Sequence, residues 1–220
     1  MLEEMGAFFD ARLEDYEAHQ LTAIASAEEF YPFAARCLPR EPGAEILDLG
    51  CGTGLELDFY FPLNPAARVT GIDLAEGMLS ALAKKFPDTA LRLIRGSYFD
   101  VPFEKGRYDG AVSVESLHHF TRVEKIPLYR KVYEALKEGG YFILTDYFAA
   151  SDGEEARCRE ALRRLLAEEG AEAGALYHYD TPLTVEHERE ALYAAGFDRV
   201  EVLGRWGPTR TLRADKTPCG

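Results

Sequence analysis

Short apolar runs and longer periodic segments alternate along this chain. The runs have the length and composition of buried strands, and they lie at residues 46–49, 69–72, 91–95, 108–114 and 141–146. Three segments between them show helical spacing of apolar residues: one follows residue 54 as far as residues 62–65, and the others occupy 75–85 and 125–137. Strands that alternate with helices predict a parallel sheet with right-handed crossovers.

The helix at 125–137 carries two local signals. Pro127 is expected in its first turn, where the missing backbone N–H would have no partner in any case. Gly139-Gly140 is expected to close the helix, because glycine readily adopts the left-handed conformation of a C-terminal cap.

Both ends of the chain depart from the strand–helix alternation. The first 40 residues predict helices, with Phe9, Leu13 and Tyr16 at helical spacing. Beyond residue 146, the pattern predicts helices at 154–169 and 185–195 and a final pair of strands at 200–203 and 209–214. We therefore expect one domain with a regular centre and two different ends.

A glycine-rich segment, Asp48-Leu49-Gly50-Cys51-Gly52-Thr53-Gly54, leaves the first strand. Glycine has no Cβ, so a ligand can approach the backbone of such a turn closely. The next strand ends at Asp73, about 20 residues further on, where a carboxylate can accept hydrogen bonds from both hydroxyls of a ribose. The two features together predict a site for a cofactor that contains a nucleoside.

Two classes of cofactor fit this outline. The dinucleotide fingerprint G-x-G-x-x-G needs a third glycine, and Leu55 stands at that position here. Asp48 would also repel a pyrophosphate at short range, whereas it suits a ligand with an ammonium group. The arrangement resembles that of the class I S-adenosylmethionine-dependent methyltransferases. The resemblance covers roughly residues 46–216, and its specific motifs lie before Phe120.

This resemblance implies a fold and a division of the chain. The fold is a doubly wound α/β architecture with a mostly parallel seven-stranded sheet, in the order 3-2-1-4-5-7-6, whose last strand is antiparallel. Residues 1–220 would form a single methyltransferase domain. Within it we expect a helical lid at 1–40, a cofactor-binding core at 45–146, and acceptor-side helices and final strands at 147–216.

The resemblance also assigns roles to residues. Asp48 would bind the ammonium group, directly or through water, and Asp73 would bind the ribose. Ser97 stands where the family often has an acid for the adenine amino group. Glu115 would lie near the sulfonium. The complete set of expected cofactor contacts is Tyr16, Asp48, Gly50, Cys51, Gly52, Gly54, Asp73, Leu74, Met78, Ser97, Tyr98 and Glu115.

The adjacent His118 and His119 are the candidates for catalysis. Histidine titrates near neutrality, so either one can serve as a general base. The alternative is that one packs in the core and the other makes a structural hydrogen bond. No third residue has convincing spacing for a metal ligand, so we expect no metal site. Tyr147, Tyr177, His178, Tyr179 and Trp206 are further aromatic candidates for the walls of an acceptor pocket.

The composition of the chain bears on its binding partners and on its cellular location. The chain has 25 Lys and Arg residues against 38 Asp and Glu residues, a formal net charge of −13, which disfavours a nucleic-acid substrate. Cys37, Cys51, Cys158 and Cys219 form no C-x-x-C pair. The first residues lack the pattern of a signal peptide, and no apolar run has the length of a membrane span. We therefore expect a reduced, cytoplasmic protein.

The sequence thus predicts an enzyme that transfers a methyl group from S-adenosylmethionine to a small molecule. Three alternatives stay open: a methyltransferase that modifies tRNA or protein, a cofactor-binding regulatory subunit without turnover, and a nicotinamide oxidoreductase, which Asp48 and Leu55 disfavour. The acceptor, the methylated atom and the oligomeric state are not defined, and a homodimer is compatible with the sequence.

Overall fold

A seven-stranded sheet forms the centre of the molecule. The structure is a computed structural model that describes residues 2–170 and 175–218. The strands are β1 Glu45–Leu49, β2 Arg68–Asp73, β3 Ala90–Arg95, β4 Tyr108–Val114, β5 Leu136–Tyr147, β6 Arg199–Trp206 and β7 Thr209–Asp215. Their order is β3-β2-β1-β4-β5-β7-β6, the first five strands run parallel, and β7 is antiparallel to both of its neighbours. The predicted topology is confirmed.

Helices cover both faces of this sheet. They are α1 Met5–Asp10, α2 Leu13–Ala23, α3 Ala27–Cys37, α4 Leu57–Leu63, α5 Glu76–Lys85, α6 Arg122–Ala135, α7 Asp152–Glu169 and α8 Val185–Ala195. Successive residues of a strand point to opposite faces, so Ile46 packs with α3, α4 and α5 while Leu47 packs with α6 and α8. Two apolar cores result, one on each side of the sheet, as a doubly wound fold requires.

The predicted ends of α6 are wrong in two respects. The helix begins at Arg122, after a Thr121 amide that donates to the Glu124 carboxylate over 2.8 Å, so Pro127 lies beyond the first turn. It ends at Ala135, because Leu136 is already extended and pairs with Tyr108 of β4. The two glycines at 139 and 140 therefore lie inside β5 and do not cap the helix.

The N-terminal helices do not form one continuous lid over residues 1–40. Phe30 and Tyr31 of α3 are buried in the core beside β1, so this helix is part of the helical layer. By contrast, α2 has no fully buried residue and α1 has only Met5. The Met5 amide donates to the Leu176 carbonyl over 2.8 Å, and Asp10 accepts from the Gly77 amide over 2.8 Å. We call α1 and α2 together the cover helices.

Three thiols, those of Cys37, Cys51 and Cys158, are free within the described part of the chain. Cys219, with the terminal Gly220, lies outside the described residues. Among the described helices there is none with both the length and the apolar composition needed to cross a bilayer.

The cover helices are expected to open before α3 does. Elements with few buried apolar contacts open at a lower free energy than elements of the core. In native-state hydrogen exchange, amides of residues 5–23 should exchange faster than those of residues 27–37 by at least about tenfold, a difference of about 1.4 kcal/mol. Equal protection of the two segments would contradict this division of the N-terminal helices.

Candidate functional site

The turn after β1 depends on glycine at its first position. Gly50 has φ +72°, a left-handed conformation that glycine adopts without strain. A Cβ at this position would lie 2.1 Å from Ser116 Oγ, well inside contact distance. The loop after β1 can therefore approach the loop after β4 closely. The two loops meet at the carboxyl ends of neighbouring parallel strands, where open α/β sheets bind ligands.

Asp73 ties this glycine loop to the next helix. Its Oδ2 accepts from the Gly52 amide and its Oδ1 accepts from the Ala75 amide, each over 2.9 Å. Burial raises the pKa of this carboxyl group, although the two amides favour its ionised form. A carboxylate oxygen has two lone pairs, so both oxygens retain acceptor capacity after these bonds. Asp73 can therefore both fix the loop and accept bonds from a ligand.

A narrow cavity of about 40 Å³ lies between the glycine loop, Asp73 and the cover helices. Eight of the residues predicted to contact the cofactor line it: Tyr16, Gly50, Gly52, Asp73, Leu74, Met78, Tyr98 and Glu115. Met5 and Phe9 of α1, together with Ser116 and His119, complete the wall. We call this cavity the nucleoside cleft. The cleft thus brings together eight of the twelve expected residues, and their contact with a cofactor stays a prediction.

The remaining four predicted contacts are not part of the described lining of the cleft. The Cys51 side chain lies in the apolar core and packs against Gly71 of β2. Gly54 packs against Leu82 of α5. Ser97 Oγ accepts from the Phe99 amide over 3.2 Å, which stabilises the turn after β3. Asp48 is buried beneath the glycine loop.

Asp48 has a partner that the sequence analysis missed, Glu56 at the start of α4. Burial raises the pKa of Asp48 well above its usual range, and the nearby Glu56 adds to the effect. Burial also raises the pKa of Glu56, to about 7, although Asp48 can hydrogen-bond to it. Asp48 Oδ2 and Glu56 Oε1 are buried, and neither has a hydrogen-bond partner among the described residues. Burial therefore favours the protonated form of both carboxyl groups.

A second, larger cavity of about 590 Å³ adjoins the cleft. It is lined by the cover helices, by the residues directly after them, and by residues at or after the ends of β4, β5 and β6: Phe8, Phe9, Arg12, Asp15, Tyr16, His19, Gln20, Ala23, Ile24, Ala25, Glu115, His118, His119, Tyr147, His178, Asp180, Pro208 and Thr209. We call it the outer chamber. Its volume is in the range of small-molecule sites, and it combines aromatic walls with several polar groups.

Glu115 stands at the junction of cleft and chamber and lines both. It directly follows β4 and has a left-handed backbone with φ +49°, an uncommon conformation for a residue other than glycine. Its Oε1 accepts from Thr209 Oγ1 over 3.3 Å. Burial and the nearby Asp146 raise the pKa of Glu115 to about 7. A carboxyl group thus lies at the point where a ligand in the cleft would face the chamber.

The two histidines have opposite charge states. Burial alone would lower the pKa of His118, but Asp146, whose Oδ1 lies 2.5 Å from His118 Nδ1, raises it to about 9. Burial and the charged His118 lower the pKa of His119 to about 4. His118 is therefore an imidazolium at neutral pH, and His119 is neutral. Both line the outer chamber, so neither is confined to the core.

Asp146 and Asp180 are the main residues that the sequence analysis missed here. Asp146, near the end of β5, accepts from the Leu117 amide over 2.9 Å and from the Tyr147 amide over 3.0 Å. Asp180 lies 3.2 Å from His119 Nδ1, and the two histidines lower its pKa to about 2 against the effect of burial. An acid at the end of a β-strand was the available signal for Asp146. No comparable local signal marks Asp180.

The predicted aromatic walls are only partly present. Tyr147 and His178 line the outer chamber. Trp206 instead packs edge-on against Phe33 of α3, with ring centroids 5.0 Å apart. The described lining of the chamber includes neither Tyr177 nor Tyr179. Scattered aromatic residues pack in cores as readily as in pockets, which is why sequence alone could not separate them.

Comparisons with known proteins agree with this architecture. A family model described as a methyltransferase domain matches residues 46–140. Demethylmenaquinone methyltransferase of Symbiobacterium thermophilum is 32% identical over 143 residues, which cover 61% of this chain and 55% of that protein. For 24-methylenesterol C-methyltransferase 2 of Arabidopsis thaliana the identity is 28% over 133 residues, covering 56% and 36% of the two chains. This chain thus spans about a third to a half of these relatives.

A solved structure extends the comparison to the whole fold. The [4+2]-cyclase SpnF superposes with a TM-score of 0.72 over 97% of this chain and 95% of its own, at 16% identity. At that identity the likeness concerns the fold alone. The match of residues 46–140 to a methyltransferase domain nevertheless agrees with the sheet order and with the glycine loop that Asp73 holds.

Replacement of Asp73 should weaken the binding of S-adenosylhomocysteine, the demethylated cofactor. Asp73→Ala should cost about 1–3 kcal/mol, because ribose hydroxyls would lose their acceptor. Asp73→Asn keeps one acceptor oxygen and should lose less. Titration calorimetry gives the affinities, and the exposed Asp88→Ala is the matched control. Unchanged affinity in a folded Asp73→Ala protein would remove this residue from the site.

Glu115→Gln should weaken S-adenosylmethionine, which has a cationic sulfonium, more than the neutral thioether S-adenosylhomocysteine. We expect the ratio of the two affinities to fall by roughly 3–10-fold, on the order of 1 kcal/mol. In the unchanged protein this ratio should rise from pH 6 to pH 8, because a carboxyl group with a pKa of about 7 becomes charged over that range. The exposed Glu186→Gln serves as control. A ratio independent of both the substitution and pH would contradict this role.

Proposed function

We propose that this protein binds S-adenosylmethionine and transfers its methyl group to a small molecule held in the outer chamber. The observation that carries the proposal is the junction at Glu115, where the nucleoside cleft opens into the 590 Å³ chamber. A cofactor with its ribose at Asp73 and its sulfonium at Glu115 would direct the methyl group into the chamber. Cofactor and acceptor would thus meet at one point.

The charges around the junction support a cationic cofactor. The Asp48–Glu56 pair lies behind the glycine loop, and Glu115 faces the cleft. In their ionised forms these carboxyl groups attract both the ammonium and the sulfonium, and a bound cation in turn favours the ionised forms. They repel a pyrophosphate, which argues against a nicotinamide dinucleotide. Loss of the methyl group makes the sulfur neutral, so the same charges favour release of the product over the substrate.

Methyl transfer itself needs little from the protein beyond alignment. A lone pair of the acceptor attacks the methyl carbon, and the electrons of the S–CH₃ bond remain on sulfur. Holding the two reactants in line and excluding water can supply most of the catalysis. The acceptor must also lose a proton if it enters as an O–H or N–H group.

Glu115 is the residue best suited to accept that proton from the acceptor. Its pKa of about 7 is close to the operating pH at which a general base is most effective. His118 already carries a proton at neutral pH, and His119 is a weak base with a pKa of about 4. The two histidines, which the sequence analysis proposed as bases, are better suited to orienting the acceptor by hydrogen bonds.

The cover helices would act as a lid. A nucleoside cofactor needs several hundred cubic ångströms, and the cleft offers about 40 Å³. Phe9 and Tyr16 of the cover helices line this cleft, so their displacement would widen it. Closure over the bound cofactor would then exclude water from the junction.

For the acceptor we propose only a chemical class, that of small molecules. The matched relatives are named for demethylmenaquinone and a methylenesterol, both small molecules. The formal charge of −13 disfavours tRNA. A rival without methyl transfer deserves a test, because one fold neighbour is named as a cyclase.

The decisive assay follows both halves of the reaction with the full chain. Incubation with trideuteromethyl-labelled cofactor and a small-molecule extract should release S-adenosylhomocysteine and yield a product heavier by one labelled methyl group, detected by mass spectrometry. Asp73→Ala should reduce both signals together, and Asp88→Ala should change neither. Tight cofactor binding with no labelled product across quinone, phenol, amine, fatty-acid and sterol acceptors would favour the rival without methyl transfer.

A further inference from the structure

We propose that His118, His119 and Asp180 form a binding site for one divalent transition-metal ion at the wall of the outer chamber. The first two residues follow β4, and Asp180 lies in the segment that precedes α8. The sequence analysis expected no metal because no third ligand had suitable spacing. The fold supplies that ligand from a distant part of the chain.

The distances between the three side chains fit a common ion. His119 Nδ1 lies 3.2 Å from Asp180 Oδ1, and His118 Nε2 lies 3.5 Å from the same oxygen. All three ligand atoms lie within 4.8 Å of one another. Two ligands that are each about 2.0–2.2 Å from one ion are roughly 3.0–3.5 Å apart. Small side-chain adjustments would therefore suffice to bring an ion between them.

The surroundings of His118 favour the same conclusion. Metal-bound histidines usually donate their second ring N–H to a carboxylate, which fixes the ring and leaves the other nitrogen for the ion. Asp146 has this position, with Oδ1 2.5 Å from His118 Nδ1. The amides of Leu117 and Tyr147 hold Asp146 in turn. His118 Nε2 is thereby directed toward Asp180.

The three ligands leave part of the coordination sphere open. His118, His119 and Asp180 all line the outer chamber, so further positions on the ion would face its interior. Sites with fewer than four protein ligands bind water or substrate at the free positions. Two imidazoles and one carboxylate suit Zn²⁺, Fe²⁺, Co²⁺ or Ni²⁺ better than Mg²⁺ or Ca²⁺, which prefer all-oxygen sites.

A bound ion would replace hydrogen bonds that His119 makes in its absence. His119 Nδ1 also lies 3.3 Å from the Tyr179 carbonyl. The single N–H at this nitrogen can donate a hydrogen bond to either Tyr179 or Asp180. Ion binding would shift the His119 proton from Nδ1 to Nε2 and would release the Nε2 proton of the His118 imidazolium to solvent, so that both rings bind as neutral imidazoles. Ion binding does not depend on the proposed methyl transfer, so the two proposals can fail separately.

The test uses the untagged full chain after removal of metal by a chelator. We expect Co²⁺ and Zn²⁺ to bind with one ion per chain, measured by competition with a chromophoric chelator. The visible absorption of bound Co²⁺ should indicate nitrogen ligation. Asp180→Asn and His119→Gln should each weaken binding by at least about 100-fold, since a ligand is lost. Asp180 is half-exposed, so its replacement should leave the fold intact.

Two control variants come from the same chamber. Asp15→Asn and His19→Gln remove an acid and a histidine that line the chamber but lie outside the triad. Both should retain the affinity of the unchanged protein within about threefold. Equal binding by Asp180→Asn, an equal loss in the two controls, or no binding below millimolar Co²⁺ would overturn the metal site. S-adenosylhomocysteine binding, measured in parallel, tests the cofactor site independently.

Discussion

The parallel pairing of β1 with both β2 and β4 is the constraint on which the site depends. It aligns Leu49 with Ile72 and Asp48 with Val112, so the carboxyl ends of these strands lie at one edge of the sheet. The glycine loop, Asp73 and the loop that begins at Glu115 emerge there side by side. Asp73 then fixes the arrangement by accepting the Gly52 amide over 2.9 Å. Both cavities depend on this edge, because Glu115 and His119, which follow β4, line both of them.

The carboxyl groups at this edge of the sheet favour the binding of a cation. Burial raises the pKa of Asp48 and of Glu56 at the loop, and Glu115 has a pKa of about 7 at the junction. Asp146 keeps His118 charged, which partly offsets the acids on the chamber side. Glu115 lines both cavities, so a sulfonium at their junction would face this carboxyl group.

The elements that could be predicted from sequence are those with local signals. The glycine loop, the strand ends and Asp73 are each encoded within a few residues, and the structure places them as expected. The sequence-based predictions were wrong where one local pattern is compatible with two different structures. Gly139 and Gly140 have the appearance of a helix cap but belong to β5, whose pairing with β4 begins at Leu136. Helical spacing in the first 40 residues could not distinguish the buried α3 from the cover helices.

Residues whose roles depend on tertiary contacts could not be found in this way. Asp146 and Asp180 meet the two histidines only because the sheet and the segment before α8 converge. The contrasting pKa values of His118 and His119 follow from burial and from these acids, so adjacency in sequence gave no indication of them. Glu56 became significant only once its burial against Asp48 was known.

The central claim is that a cofactor in the cleft presents its methyl group to the chamber at Glu115. A crystal structure with S-adenosylhomocysteine would test it most directly. The account predicts ribose hydroxyls within hydrogen-bond distance of Asp73 and the sulfur beside Glu115, with its open side toward the outer chamber. A nucleoside bound inside the chamber, or a sulfur directed away from Glu115, would contradict it.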